Sequence, residues 1–191
     1  MSRKAEQKQR SHDAIIASAA ALLRARGIDA SSVGEVMRGA GLTVGGFYGH
    51  FSSKEELFVE TIRSAAGLMW DGLLASAGGQ SPRAKVLSVA RRYMSRAHRD
   101  QPEMGCLLPS IAAEVARAGE PYRGALASEV ERFAESFGAL LCSGAEAKRA
   151  ALGLIALMYG ALSLSRALAG TPLSDELLVA AERAAEALVG R

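Results

Sequence analysis

Residues 32–58, SVGEVMRGAGLTVGGFYGHFSSKEELF, hold two short helical patterns that meet at a turn built of small residues. The first pattern runs from Ser32 to about Ala40. Ser31 or Ser32 stands at its N-cap and Glu35 at the capping-box position, so its opening N–H groups are satisfied locally. Val33, Val36 and Met37 make its inward face. Gly39, Ala40 and Gly41 put no bulk in the way of a sharp corner, and Gly41 can take the positive φ that closes a helix. Thr43 caps a second helix from Val44 to His50, with Phe47 and Phe51 turned inward. Two helices joined by a short turn containing Gly are a helix-turn-helix.

The motif LTVGGFYGHFSSKEELF, Leu42 to Phe58, closely resembles the DNA-binding segment of the TetR family of bacterial transcriptional regulators. The aromatic pair Phe47 and Tyr48, then His50 and Phe51, then Ser53 and Lys54 with Leu57 all fall at the family's spacing. With the helix before it, the motif covers roughly a quarter of the chain; beyond about residue 65 the likeness is one of helical layout and length. The resemblance implies a dimer that pairs through a four-helix bundle. It also implies a C-terminal domain that binds a small-molecule effector, whose binding respaces two reading heads and releases DNA.

The residues themselves say how such a head would read DNA. A helix fits the major groove, and a two-fold dimer sets two of them about 34–36 Å apart, which predicts a pseudo-palindromic operator. The exposed residues of the reading helix are Thr43, Val44, Gly45, Gly46 and Tyr48. None is an Arg, Asn or Gln able to grip a base edge with two bonds. Direct readout is therefore sparse: a hydroxyl from Thr43, a methyl contact from Val44 to thymine, and close backbone approach at the two glycines. Tyr48, His50 and Lys54 suit phosphates, Lys54 together with the capped N-terminus of its helix, and Ser32 is counted with them. The resemblance implies the same roles at these positions.

Charge supports the assignment. The formal net charge is only +3, but residues 1–54 hold eight Lys or Arg against four acids, while the remainder holds 15 against 16. The excess positive charge sits on the segment with the helix-turn-helix, the footprint of a polyanion-binding module. Residues 1–10, MSRKAEQKQR, read as a partly disordered arm (1–8 in the domain assignment), with Arg3, Lys4 and Arg10 as candidates for phosphate or minor-groove contact. Specificity then comes in part from DNA shape and from Arg3 and Arg10.

Beyond the head the chain reads as helix after helix. Patterns run over about 8–26, 54–73, 84–98, 107–118 (bent at Pro109), 120–142, 145–169 and 174–188, with breaker clusters at 76–82 and 100–105. The fold class is all-α with about nine helices: a three-helix head over residues 1–53 and a helical effector-binding and dimerisation domain over 54–191. The stretch 150–165, AALGLIALMYGALSLS, is apolar on every side, yet its sixteen uncharged residues fall short of the roughly 20 that span a bilayer. One face is expected to meet the chain's own core. The other, lined by Gly153, Ala156, Gly160 and Ala161, is expected to meet a second subunit together with Leu177, Ala181, Ala184 and Leu188. Trp70, Tyr93, Met94, Met104, Leu108, Phe133, Phe137, Met158 and Tyr159 either line an apolar effector cavity or fill an ordinary core. His98, Arg99, Asp100 and Glu103 form its polar mouth or a solvated loop.

Other classes are disfavoured. Residues 1–12 are polar and show no basic-then-apolar leader, so the chain is expected to stay in the cytoplasm. Cys106 and Cys142, 36 residues apart without CxxC or His partners, indicate neither a disulfide framework nor a metal site, and each reads as a small buried hydrophobe or a redox-sensing thiol. No nucleophile elbow, phosphate loop or HExxH occurs, so neither catalysis nor a cofactor is expected. The alternatives left open are an activator or dual regulator of the same family, and a sequence-blind DNA-binding protein.

Overall fold

The structure, a computed structural model, describes residues 2–141 and 144–190. Among them the chain forms nine α-helices and two 3-10 helices and no strand. The order is α1 (Arg3–Arg26), α2 (Val33–Gly39), a 3-10 reading helix (Val44–Gly49), α3 (Lys54–Ala75), α4 (Pro82–Tyr93), α5 (Arg96–Asp100) and a 3-10 turn (Pro102–Met104). There follow α6 (Leu108–Ala118), α7 (Tyr122–Gly138), α8 (Ala145–Ala167) and α9 (Pro172–Val189). The chain divides into two compact units. One comprises Met1–Gly67 with Cys106–Ser128, and the other Leu68–Gly105 with Glu129–Arg191.

The first unit is built on α1. Ile15, Ala19 and Leu23 recur at helical spacing and are wholly buried, and against them lie Val36 and Met37 of α2, Phe47 and Phe51 of the reading segment, and Leu57, Phe58 and Ile62 of α3. Full burial of one such side chain stabilises by about 1.5–3 kcal/mol, so three buried phenylalanines dominate this small core. Leu107, at the N-cap of α6, with Ile111 and Val115 of that helix, completes it. Gly27 closes α1 at φ +78°, ψ −169°, a conformation open to glycine and hardly any other residue. The carboxylate of Glu114 on α6 then accepts the Ile28 N–H at 2.5 Å, and a Cβ at residue 27 would run into it. One glycine and one carboxylate therefore fix how α1 turns toward α2.

The second unit is held by a stack and by ion pairs. Trp70 and Phe133 stack with ring centroids 4.8 Å apart and planes 25° from parallel, and Phe133 continues onto Phe137 at 5.3 Å. The helices α8 and α9 pack as a hairpin. Arg91 of α4 pairs with Glu182 and Glu186 of α9, while Arg99 of α5 pairs with Asp100 and with Asp175 of α9. Those two aspartates hold the Arg99 guanidinium still more firmly protonated than usual.

Several expectations are corrected. Residues 3–10 are not a disordered arm but the first turns of α1. Ser2 caps that helix by accepting the Ala5 N–H, and Gln9 bonds Asp13 one turn on. The helix expected over 84–98 is two helices, because Ser95 accepts the His98 N–H and so caps a new start. Pro109 bends nothing: it sits in the first turn of α6, where no N–H is needed. Cys142 lies outside the described residues, and Cys106 is a buried thiol in the first unit.

Candidate functional site

The reading head begins with two caps that match the sequence reading. Ser32 Oγ accepts the Glu35 N–H while Glu35 Oε2 takes the Ser32 N–H at 3.2 Å, a complete capping box. Arg26 pairs with the same carboxylate at 2.7 Å. These bonds hold the Glu35 carboxyl below the usual carboxylate range, with the Ser32 hydroxyl as the largest cause. Ser32 is thus committed to the cap, although it remains exposed. At the other end Gly41 takes φ +70°, Leu42 N–H bonds the Met37 carbonyl at 2.9 Å and Gly41 N–H bonds that of Arg38 at 3.0 Å. That pair of bonds is a Schellman closure. Gly39 lies against α1, where Ser18 bonds the Val36 carbonyl and leaves no room for a side chain at 39.

The reading helix itself differs from the two α-helical turns expected. Over Val44–Gly49 it has the tighter 3-10 pattern, and Thr43 makes no side-chain cap: its carbonyl, not its hydroxyl, takes the Gly46 N–H. Three glycines in six residues and the missing cap explain why it does not settle as α. Phe47 is its buried anchor, in contact with Phe51 at 5.8 Å and edge-on to Tyr48. The face left over is Thr43, Val44, Gly45, Gly46 and Tyr48. Val44 is 53% exposed and Tyr48 77%, so neither serves the core. Gly45 has an ordinary negative φ and open space where a Cβ would stand, so neither backbone nor packing requires a glycine there.

His50 follows, half-buried beside α1. Its ring lies 5.9 Å from that of His12, which in turn stacks on Phe51 at 4.9 Å and bonds Glu60 at 2.6 Å. Burial first, then the nearby His12 and Lys8, lower the His50 pKa, so the ring offers phosphate no charge near neutral pH. Its Nδ1 is buried with no hydrogen-bond partner among the described residues. Lys54 opens α3 with its Nζ 5.3 Å above the Phe58 ring and no carboxylate partner among the described residues. The α3 terminus is already partly taken. Ser53 Oγ accepts the Glu56 N–H, and the Glu56 carboxylate folds back to take the Ser52 N–H at 2.6 Å. Arg3, Lys4 and Arg10 are exposed on α1, with Arg3 and Arg10 seven residues apart on one face and Lys4 on another.

In the second unit the residues considered for effector binding do not share one cavity. A cleft of about 480 Å³ is lined by Leu68, Met69, Gly72, Leu73, Arg92, Tyr93, Ser95, Ala97, His98, Gln101, Met104 and Gly105. Of the expected set it takes Tyr93 and Met104. Trp70, Phe133 and Phe137 are instead spent on the buried stack, Met94 and Met158 are buried, and Tyr159 is half-buried. Leu108 belongs to the first unit. His98 lines the cleft, whereas Arg99 is engaged by Asp100 and Asp175. The expected pairing residues do converge. A shallow apolar groove of about 440 Å³ along α8 and α9 holds Ala156, Gly160, Ala161, Leu177, Ala181 and Ala184, joined by Leu157, Leu164 and Ala180. Gly153 and Leu188 are exposed but lie outside it.

Residues 15–61 match the family model described as bacterial regulatory proteins, tetR family. The chain is also 30% identical over 171 residues to the HTH-type transcriptional regulator BetI of Rhizobium meliloti strain 1021, covering 87% of this chain and 83% of that protein. The chain belongs to the TetR family. A TetR-family transcriptional regulator from Chloroflexus aurantiacus shares the fold, with a TM-score of 0.77 at 21% identity over 97% of each chain. So does Escherichia coli NemR in its reduced form, with a TM-score of 0.75 at 21% identity over 91% of this chain and 95% of that one. This chain is thus a TetR-family transcriptional regulator with a helix-turn-helix DNA-binding segment. The TetR match spans the second half of α1, all of α2 and the reading helix, and the start of α3. Within that span one candidate escaped the sequence reading: Arg38, exposed in the last turn of α2 and without an ion pair among the described residues. Its charge was visible, but its freedom from the nearby acids was not.

Proposed function

We propose that this TetR-family regulator is a repressor that binds a pseudo-palindromic operator as a dimer in the cytoplasm and is released by a small-molecule effector. The observation that carries the reading is the exposed face of the reading helix. Val44 and Tyr48 project from it without serving the core, and Gly45 is a glycine for no reason of fold. Such a face fits close approach to a DNA groove, with Thr43, Val44, Gly45 and Gly46 at the bases and Tyr48, Lys54, Arg38 and the basic residues Arg3, Lys4 and Arg10 of α1 at phosphates. His50 packs the head against α1, and Ser32 caps α2.

Pairing is assigned to the α8–α9 groove, because it is apolar, shallow and flanked by exposed Leu164. The helix α8 is long and apolar enough by composition to cross a membrane; a second subunit seated on its outer face accounts for that composition. The effector is assigned to the cleft that Leu68, Met69, Gly72 and Leu73 line from α3, the helix whose other end carries Lys54. An effector shifts DNA binding only by favouring the released conformation, and coupling of about 1–3 kcal/mol is typical.

Selection of bound fragments from random duplex DNA tests the operator. A two-fold motif with half-sites one helical turn apart and few strictly required bases is the expected result. Recovery of fragments without a shared motif would favour a sequence-blind protein instead. A reporter driven by the native promoter that carries the recovered site, read with and without the protein, then separates repression from activation.

A further inference from the structure

The cleft of the second unit has two kinds of wall. One is apolar: Leu68, Met69 and Leu73 of α3 face it, with Met104 of the 3-10 turn, and Leu68 and Met104 are each 76% exposed. Large side chains left bare at a concave site mark a place where something apolar is to be covered. The other wall is polar, and its members are Arg92, Ser95, His98 and Gln101; among the described residues no Asp or Glu lines the cleft.

Arg92 differs from its neighbours. Arg91, Arg96, Arg99 and Arg132 are each committed to at least one carboxylate. Arg92, on the last turn of α4, has no ion pair or hydrogen bond among the described residues. His98 adds no second charge. Its Nδ1–H donates to the Tyr93 carbonyl at 2.6 Å, and burial lowers its pKa. The cleft therefore offers one permanent cation beside an uncovered apolar wall, in a volume typical of small-molecule sites.

We propose that the effector is an amphipathic organic anion, a carboxylate or sulfonate whose head pairs with the Arg92 guanidinium and whose apolar body covers Leu68, Met69, Leu73 and Met104. The planar fork of Arg92 suits a two-bonded grip on either head group. The assignment rests on the reading above that this cleft is the effector site, and the test separates the two.

Two fluorescent probes differ chiefly in charge: anilinonaphthalene sulfonate and uncharged phenylnaphthylamine. Each is titrated into the full-length protein, then displaced by decanoate or by decanol. Arg92→Gln tests the charge. Gly72→Trp tests the cleft, since a Cβ at residue 72 meets nothing within 4 Å and the ring has room to fill the space. The sulfonate probe is expected to bind once per chain and to be displaced by decanoate more readily than by decanol. Arg92→Gln should weaken sulfonate and decanoate by about tenfold or more and leave phenylnaphthylamine essentially unchanged. Gly72→Trp should weaken all of them. If Arg92→Gln spares the anions, or if the uncharged ligands bind the native protein as tightly as the anions, the anion assignment is overturned while the cleft stands. If Gly72→Trp affects no probe, the cleft itself is overturned as the binding site.

Discussion

Lys54→Gln isolates the phosphate role of the head. In the folded chain the Lys54 ammonium touches no carboxylate among the described residues and rests 5.3 Å above Phe58, so its loss removes one half-buried cation–π contact, about 0.5–2 kcal/mol of stability. The DNA effect is larger and has a distinct form. Each phosphate neutralised contributes about 0.9 to the slope of log K against log salt, so one contact from each of two heads contributes about 1.8. Between 50 and 200 mM salt that slope corresponds to roughly a twelvefold change in affinity. The variant should therefore bind operator more weakly at low salt, show a shallower salt dependence by about 1.8, and lose the same factor on an unrelated duplex. Fluorescence anisotropy with operator and scrambled duplexes over that salt range measures all three. A slope equal to that of the native protein, or a loss confined to one base pair of the operator, would refute the phosphate assignment. The Glu56 carboxylate folded onto Ser52 makes the test sharp, because Lys54 is then the cation with which the start of α3 meets a phosphate.

Other expectations follow from the same geometry. Gly45→Gln should leave the melting temperature unchanged or slightly higher, since glycine disfavours helix by about 1 kcal/mol, yet cut operator affinity; a variant that binds normally would remove close approach from the account. Gly27→Ala should destabilise the head by about 1–3 kcal/mol by urea titration, because residue 27 sits in a glycine-only conformation against Glu114, and a neutral result would show that α1 can end otherwise. His50 and His98 both have lowered pKa values, so below about pH 6.5 the unfolded chain binds protons that the folded chain does not, and stability should fall from pH 7.5 to 5.5. The lowered carboxylates Glu35, Glu56, Asp100, Glu131 and Asp175 add their loss only at more acid pH, so a flat profile in this window would contradict the partial burial of both imidazoles. Leu164→Lys, at the rim of the α8–α9 groove, should shift the sedimenting species from dimer to monomer with helix content retained; an unchanged dimer would move the interface elsewhere.

What could be read from the chain alone was whatever is decided within about one helical turn. The Ser32–Glu35 capping box and the Gly41 closure each involve residues three to five apart, and both stand where the sequence places them. The start of α1 is poorly legible because its charges suggest a solvated tail, while the weak signals that extend the helix, Ser2 at the cap and Gln9 four residues before Asp13, are individually small. Ser95 does not stand out as a cap because the helical pattern runs past it to His98.

Side chains whose fate depends on distant partners were beyond such reading. Trp70, Phe133 and Phe137 have the composition of a ligand cavity, but stacked on one another they leave no space, while the cleft is walled by Leu68 and Met69 on the same helix as Trp70. Adjacent positions on α3 point to opposite fates because the helix turns by about 100° per residue, and only the packing of other helices decides which side is closed. The same reasoning sets Arg91 apart from Arg92: one meets two glutamates of α9 nearly a hundred residues away, the other meets no carboxylate among the described residues, and on that difference rests its proposed role toward a ligand.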